Sequence, residues 1–403
     1  MVTVNDPGGT VRGNNLDSVR RNNLSMVLEI VHRERAVSRS DLTRETGLNR
    51  STVAALVGEL TELGLVRESN PEGGARVGRP SPIVSPDPNC VAIAINPDID
   101  AVTVGVVALG GVLLDRVRHD VDHVVTAAET VEIASAIIRE LQTDVLRGRR
   151  VAGIGVALPG LVRASDGLVR WLPHLGWRDE PLTDALEAAT GYPAFAGNDA
   201  NVGAVAEHTF GAGIGVNDLV YLNGSASGIG GAVIAHGMPI GGDDGYAGEF
   251  GQNRPGVRDH ADRRDVDGTL EDEVSRSRLL EVLGIGNVDE AEFADAVARS
   301  TDPRVYAELD RQLRVLSVAI SNAVNVLNPR IVVLGGFLSA VLRHDPEGLA
   351  ALVREQTLEV SFEDVSLVPA GLGSELLMIG AAQLPLQRLI DDPAQQREAV
   401  ESA

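Results

Sequence analysis

A run of four polar residues that can hydrogen-bond DNA lies about halfway along the first 88 residues: Asn49, Arg50, Ser51 and Thr52. Amide, guanidinium and hydroxyl groups are the side-chain types that contact base edges and phosphates. The run opens a segment whose apolar residues recur at helical spacing, which predicts that it forms the N-terminal end of a helix. Two later arginines are predicted to add contacts with the minor groove or the DNA backbone: Arg76 and Arg79.

Three helical segments are predicted around this run. The spacing of apolar residues predicts a first helix over 22–32. Ser38 is a preferred N-cap and begins a second, short helix, which Gly47 ends. Asn49 caps the third helix, which is predicted from Arg50 to Leu63.

A β-hairpin is predicted after the third helix, with one strand beginning at Leu65 and the other returning at Ile83. Three helices with a tight Gly turn before the third, followed by a hairpin, form the winged helix-turn-helix pattern, whose third helix enters the major groove. The alternative is a small helical interaction module with solvated arginines. The DNA-binding interpretation further predicts that five arginines share one face: Arg20, Arg21, Arg50, Arg76 and Arg79.

Charge is distributed unevenly along the 403 residues. The formal net charge is −22, from 35 basic and 57 acidic side chains, and every basic residue is Arg. Residues 1–88 hold 11 Arg and 11 acidic residues, so the whole negative excess follows Pro88. A Pro-rich stretch from Gly78 marks a linker at that boundary. Because an acidic region repels phosphate, DNA contact is predicted only before residue 88.

Composition restricts the remaining classes of protein. Apolar residues make up 44% of the chain, enough to bury the cores of two or three domains. No apolar run reaches the roughly 18–20 residues of a membrane helix, and the first residues lack a signal-peptide pattern, so a cytoplasmic location is expected. Cys90 is the single cysteine, which excludes an internal disulfide and a Cys-cluster metal site.

After residue 88 the pattern predicts a duplicated α/β domain. Each half opens with antiparallel strands and continues with helices and strands, so a ligand is expected in a cleft between two lobes. Gly110-Gly111 is the hairpin turn of the first half. The first half has predicted strands at 91–95, 102–109, 112–117 and 151–157 and a helix at 127–146. The second has strands at 218–222, 229–235 and 331–334 and a helix at 305–327.

Several motifs resemble those of the ROK family: Leu158-Pro159-Gly160, Gly197-Asn198-Asp199-Ala200-Asn201, Gly248-Glu249-Phe250-Gly251, and Asn328-Pro329 through Gly335-Gly336. With the winged helix, the resemblance covers roughly residues 20–388. The family comprises sugar-responsive repressors and sugar kinases that share an actin/hexokinase-like (ribonuclease H-like) fold. The resemblance therefore implies a winged helix-turn-helix over 20–88 and an α/β ROK domain over 89–390. The two lobes of the ROK domain are implied at about 89–200 and 201–390. The residues at the two ends of the chain, 1–19 and 391–403, are implied to be tails.

The resemblance also implies a sugar-binding site. Asp199 matches the kinases' catalytic base, although the alternative that Asn198-Asp199 merely cap the next helix stays open. Carboxylates and amides pair with vicinal hydroxyls, and a mismatched sugar leaves such groups unpaired. His174 and Trp177 lie in a loop beside the implied cleft, where Trp177 either stacks on a sugar or packs internally. The implied sugar-binding residues are Gly160, Asn198, Asp199, Glu249, Gln252 and Glu271.

The phosphate-binding loop of the family's kinases is degenerate in this chain. Their Asp-x-Gly-Gly-Thr loop corresponds here to Asn96-Pro97-Asp98-Ile99-Asp100, which has no Gly, a Pro without an N–H, and two negative charges. We therefore expect that ATP and Mg²⁺ binding is lost. A second loop, 223–231, stays Gly-rich, with Ser227 where kinases usually carry Thr, and either holds phosphate or simply forms a tight hairpin.

The family's zinc site also lacks its ligands. Gln252 occupies the position of the zinc-binding His, and residues 253–271 contain no Cys, so no metal is expected. A charged surface loop is the favoured interpretation of four residues that could otherwise be imagined as a metal cluster: Asp259, His260, Asp262 and Asp265.

Together these features predict a DNA-binding transcriptional regulator, a repressor, whose partners are operator DNA and a sugar or sugar derivative. It is expected to form a homodimer or a dimer of dimers and to need no cofactor or membrane. One alternative is an ATP-dependent sugar kinase with a regulatory DNA-binding head. Another is a constitutive DNA-binding scaffold whose sugar pocket has decayed.

Overall fold

The computed structural model describes residues 16–70, 81–256, 261–264 and 268–394. The described chain divides into two compact units. The first contains the residues up to Cys90, the short segment Ala108–Gly110 and the residues from Leu386 onward. The second contains Val91–Val107 and Gly111–Pro385. Within the described ranges, no helix is both long and apolar enough to cross a membrane.

The first unit contains the predicted winged helix-turn-helix. Its elements are α1 (Leu16–Glu34), β1 (Val37–Ser38), α2 (Arg39–Thr46), α3 (Arg50–Glu62), β2 (Val66–Ser69) and β3 (Ile83–Pro86). The strands form an antiparallel sheet in the order β1-β3-β2. Helix α1 begins earlier than the predicted Asn22 because its first turns are mostly polar and hide the helical period. Strand β1 was not predicted, since two residues carry no periodicity.

The predicted caps set the boundaries of α2 and α3. The Ser38 hydroxyl accepts the Asp41 N–H at 3.1 Å, and Gly47 ends α2 with a φ of 67°. The Asn49 side chain accepts the Thr52 N–H at 2.9 Å and begins α3. The short connection between the helices leaves the N-terminal end of α3 exposed.

The first half of the large domain forms one main sheet and one small sheet. The main sheet has the order β11-β7-β4-β5-β6, and the small one has the order β10-β9-β8. The elements are β4 (Cys90–Pro97), β5 (Ala101–Ala108), β6 (Val112–Asp120), α4 (Ala127–Thr143), β7 (Arg150–Leu158), β8 (Leu161–Val162), β9 (Val169–Leu172), β10 (Trp177–Glu180), α5 (Leu182–Thr190), β11 (Ala194–Asn198) and α6 (Asp199–Phe210).

The second half repeats the order of the main sheet as β16-β15-β12-β13-β14. The first strand of each half is the central strand of its sheet. In the first half β4 lies between β5 and β7, and in the second half β12 lies between β13 and β15. The elements are β12 (Leu219–Ser225), β13 (Gly228–Ala235), β14 (Met238–Pro239), α7 (Leu270–Glu273), α8 (Arg276–Leu283), α9 (Glu290–Arg299), α10 (Pro303–Leu327), β15 (Ile331–Gly336), α11 (Phe337–His344), α12 (Pro346–Gln356), α13 (Glu359–Phe362), β16 (Ser366–Pro369) and α14 (Leu376–Asp391).

Strand register explains why the ROK-like motifs meet. Strands β7 and β11 are parallel, with Asn198 paired to Leu158, so the two strands end at the same edge of the sheet. The segments Leu158–Gly160 and Asn198–Asp199 both follow these ends. Ligands bind at such edges in open α/β sheets. In the second half, Asn328 ends α10 in the left-handed conformation, and the following Pro cannot extend the helix.

Candidate functional site

A cavity of about 680 Å³ lies at the carboxyl ends of β7 and β11 and beside the β12–β13 hairpin. This volume falls within the roughly 300–1,000 Å³ of small-molecule sites. All the residues that the sequence implied for sugar binding line it: Gly160, Asn198, Asp199, Glu249, Gln252 and Glu271. Their assignment to a sugar stays a prediction, but the fold brings together residues from distant parts of the chain.

Asn198 holds the two motifs of the first half together. Its Oδ1 accepts the Asn201 N–H at 3.0 Å and caps α6, while its Nδ2 donates to the Gly160 carbonyl at 3.1 Å. The capping alternative is therefore correct for Asn198. Asp199 is the first residue of α6, and its Oδ1 accepts the adjacent Ala200 N–H at 2.7 Å. Its carboxyl group nevertheless lines the cavity.

The carboxyl groups of the cavity share a site where negative charge is disfavoured. Burial, with smaller contributions from the nearby charges of Glu249 and Asp98, raises the pKa of Asp199 to about 7, although the hydrogen bond from the Ala200 N–H acts in the opposite direction. Burial also raises the pKa of Glu249, with a contribution from Glu271. Near neutral pH, Asp199 can therefore either donate or accept a hydrogen bond to a ligand hydroxyl.

Glu271 is oriented by hydrogen bonds from the protein. Gln252 Nε2 donates to Glu271 Oε1 at 2.6 Å, and the Ile229 N–H donates to Oε2 at 3.2 Å. Gly228 has a φ of +138°, and a Cβ there would lie 2.3 Å from Glu271 Oε2. Because Ser225 pairs with Gly228 across a two-residue turn, Gly228 serves both the tight hairpin and the approach of Glu271.

The donor set does not fit the family's zinc ion. The Gln252 amide is hydrogen-bonded to Glu271, and both Asp262 carboxylate oxygens accept from Arg314 at 2.7 Å. In the described parts of the chain, no group of three His, Cys, Asp or Glu side chains could hold a metal. The other residues of the imagined cluster lie outside the described ranges: Asp259, His260 and Asp265.

A buried ion-pair network joins α7 and segment 261–264 to α10. Arg311 of α10 is 2% exposed and donates to Glu308 at 2.9 and 2.7 Å and to Glu273 Oε2 at 3.1 Å. It also donates to the Asp262 carbonyl at 2.9 Å, and the Arg264 N–H donates to both Glu273 oxygens at 3.0 Å. Helix α7, which carries Glu271 and Glu273, and segment 261–264 are therefore both anchored to α10.

Arg311 favours the ionised form of Glu308. Burial alone would raise the pKa of Glu308, but hydrogen bonds from Arg311 and Gln312 outweigh it and hold that pKa below its ordinary value. Sequence reasoning missed this network. The available signal was charged residues three apart, Glu308 and Arg311, among the apolar residues of a long helix.

The turn that would hold ATP phosphates uses its polar groups internally. The Asp98 N–H donates to the Ala101 carbonyl at 2.7 Å, and the Ile99 N–H donates to the Asp98 carboxylate at 2.7 Å. Pro97 has no N–H, and Asp100 pairs with Arg118 at 3.0 Å. Backbone amides that would cradle a phosphate are thus committed, and the carboxylate of Asp98 lies close enough to raise the pKa of Asp199.

The loop beside the cavity contributes different residues from those expected. Trp177 is 3% exposed, and its Nε1 donates to the Val125 carbonyl at 2.9 Å, so the packing alternative is correct and the stacking one is wrong. His174 lines the cavity. The exposed aromatic side chain there is Trp171, which is 46% exposed and which the sequence reasoning passed over.

The predicted DNA-contacting residues lie at an accessible helix end. Asn49, Arg50 and Ser51 are exposed and Thr52 is half-buried, at the first turn of α3. Arg20 pairs with Glu59 at 2.8 Å and lines a groove together with Ser51 and Thr52 of the first turn of α3. That it shares a DNA-binding face with Arg50 stays a prediction.

Of the other arginines expected on this face, Arg21 lies 3.7 Å from the Asp392 carboxylate. The remaining two, Arg76 and Arg79, lie outside the described residues. The described part of the predicted DNA surface therefore comprises the exposed end of α3 and the neighbouring Arg20.

Comparisons with known proteins agree with this architecture. A model of the ROK family matches residues 99–388, and a model of the MarR family matches residues 24–76. The putative xylose repressor of Caldicellulosiruptor sp. (strain Rt8B.4) is 25% identical over 93% of this chain and 98% of its own length. The glucokinase of Thermotoga maritima is 29% identical over 71% of this chain and 94% of its own length. The structure also resembles the crystal structure of a ROK family transcriptional regulator, a homolog of the E. coli MLC protein, with a TM-score of 0.75 and 25% sequence identity. The match covers 95% of this chain and 99% of that regulator.

Proposed function

We propose that this chain, which belongs to the ROK family, is a sugar-responsive transcriptional repressor. The winged helix-turn-helix binds operator DNA, and the cavity in the second unit binds the sugar. One observation carries this proposal: a cavity lined by every implied sugar-binding residue occurs in a chain that also exposes the polar end of α3. A putative xylose repressor, matched over nearly its full length, supports the same assignment.

Sugar binding must favour one arrangement of the protein if it is to change DNA affinity. Strand β5 offers a covalent route for this coupling. It begins at Ala101, next to the turn that carries Asp98, and leads to Gly110, which belongs to the first unit. There the Gly110 N–H donates to His32 Nδ1 at 2.9 Å, and its carbonyl accepts from Arg35 Nε at 2.8 Å. Displacement of β5 would therefore be transmitted to the end of α1.

We also propose that the repressor acts as a homodimer. Val326, Leu358 and Val360 are largely exposed near the end of α10 and the start of α13. Asn325 accepts the Leu358 N–H at 3.1 Å and so ties the two segments together. Exposed apolar side chains grouped in this way are typical of protein interfaces.

The direct test is operator binding measured with and without sugars. We expect the cognate sugar to weaken binding to DNA upstream of the chain's own gene by at least about tenfold, which corresponds to a coupling of about 1.4 kcal/mol. Glu271→Gln should reduce this response while leaving sugar-free DNA binding intact, because Glu271 lies in the second unit. Glu347→Gln makes the same charge change at an exposed position of α12 and should respond normally. Unchanged gel shifts, with no thermal stabilisation by any sugar of a broad panel, would instead support the decayed-pocket alternative.

A sugar kinase is the second candidate function, and one observation favours it. A pKa of about 7 for Asp199 suits a general base at neutral pH. The committed amides of turn 96–100 argue against ATP binding, and we propose that neither ATP, Mg²⁺ nor zinc acts as a cofactor. We expect no sugar-dependent ADP release in a coupled assay. ADP release that Asp199→Asn abolishes would establish the kinase instead.

A further inference from the structure

A second cavity, of about 290 Å³, adjoins the sugar cavity. The two share the side chains of Leu161 and Trp171 in their walls. The remaining wall of the second cavity is formed by Arg170, Arg178, Asp179 and Tyr246. A ligand that fills the first cavity can therefore extend past Trp171 into the second.

The small sheet builds a flat platform at this junction. Leu161 of β8 pairs with Trp171 of β9, which pairs with Arg178 of β10, so the three residues form one row across the sheet. Cross-strand partners present their side chains on the same face. The Arg178 guanidinium lies 6.0 Å from the centre of the Trp171 ring. The platform thus combines an exposed indole with a planar group that donates hydrogen bonds.

Strands β9 and β10 direct further polar groups to the same place. In their antiparallel register Asp179 lies opposite Arg170, between the pairs Arg178–Trp171 and Glu180–Val169, and it has a φ of 53°. Left-handed backbone at a non-Gly residue costs about 1–3 kcal/mol and concentrates at functional sites. Asp179 forms an ion pair with Arg170, and both line the second cavity. The cavity therefore offers donors and an acceptor around an aromatic face.

We propose that the second cavity is a subsite for a second, uncharged saccharide unit, so that the effector is a disaccharide or a longer glycoside. This inference rests on the proposed function, because it extends the same sugar site. The apolar face of a sugar ring stacks on Trp171, and its hydroxyls pair with Arg178, Asp179 and Tyr246. The Arg170–Asp179 pair balances its own charges, and the remaining charged group of the wall, the Arg178 guanidinium, lies over the Trp171 ring, where it can donate hydrogen bonds to sugar hydroxyls.

The test measures sugar binding to the full chain by calorimetry. The probes are glucose with cellobiose and maltose, xylose with xylobiose, and glucose 6-phosphate. We expect a disaccharide to bind at least about tenfold more tightly than its own monosaccharide. Arg178→Ala, in a residue that lines the second cavity and not the first, should reduce this ratio to less than about threefold, as should Trp171→Ala. Since both side chains are exposed, sugar-free thermal stability should not change.

His174→Ala serves as the matched control, because His174 lines the first cavity and not the second. It should weaken both sugars of a pair and leave their ratio unchanged. A ratio near one in the unmodified chain, or a ratio that survives Arg178→Ala, would overturn the second subsite while leaving the sugar-responsive function intact. Tighter binding of glucose 6-phosphate than of the neutral sugars would also overturn it. If no saccharide binds, the proposed function fails as well.

Discussion

Arg311→Leu is expected to lower the free energy of unfolding by about 3–5 kcal/mol, because it leaves Glu273 and Glu308 buried without their cationic partner. The Arg311 guanidinium donates hydrogen bonds to a carboxylate on α7, to a carboxylate on α10 and to a carbonyl of segment 261–264. The expected loss should appear in urea or thermal unfolding of the second unit. Sugar affinity should fall in the same variant, since α7 also carries Glu271.

Arg314→Leu is the control for this prediction. Arg314 follows on the same helix and pairs with Asp262, but its side chain is half exposed, so its removal should cost less than about 1 kcal/mol. The triple replacement of Arg311, Glu273 and Glu308 by Leu should recover part of the stability, because removing every charge avoids an uncompensated one. An Arg311→Leu protein as stable as the Arg314→Leu protein would show that the network does not stabilise the fold.

Arg50→Gln is expected to weaken operator binding by at least about tenfold per DNA-binding head, and by about a hundredfold in a dimer, because each head loses one base or phosphate contact worth about 1–3 kcal/mol. Arg50 is exposed at the first turn of α3, so the folding of the unit should not change. Fluorescence anisotropy over a range of salt concentrations measures the affinity. If Arg50 contacts a phosphate, the operator affinity of the Arg50→Gln protein should also decrease less steeply with salt concentration than that of the unmodified chain.

Arg299→Gln makes the same change of charge in the acidic second unit, on the exposed face of α9. The charge distribution predicts that this unit does not contact DNA, so operator affinity should stay within about twofold of the unmodified chain. Equal losses of operator affinity in the Arg50 and Arg299 variants would mean that affinity depends only on the total charge of the protein. The recognition role of α3 would then be rejected.

The sequence anticipated the architecture because the fold depends on local and repeated signals. Caps at Ser38 and Asn49 and stop residues at Gly47 and Gly110 act on neighbouring backbone, so their effects can be read from the chain. The duplicated order of strands follows from the same kind of local pattern. The earlier start of α1 and the short strand β1 were missed because polar first turns and a two-residue strand carry no period.

The site was anticipated less completely, because neighbours in space are not neighbours in the chain. The ROK-like motifs implied which polar residues converge, and the structure brings them around one cavity. The two tryptophans show the limit of what the sequence predicts about the site. Trp171 and Trp177 lie on adjacent paired strands, yet one is exposed to the cavity and the other hydrogen-bonds Val125 in the interior. Only packing distinguishes them.

The sequence by itself determined that an acidic α/β domain of the ROK type follows a winged helix whose net charge is zero, because composition, caps and motifs are properties of the chain. Tertiary structure decided how the pocket is held. It placed Gln252 on Glu271 and Arg311 between Glu273 and Glu308, so that hydrogen bonds and buried ion pairs hold Glu271 and helix α7. It also placed a second cavity beside the first, with Leu161 and Trp171 in the walls of both. These contacts join residues far apart in sequence, and their energies depend on burial, which exists only in the folded chain.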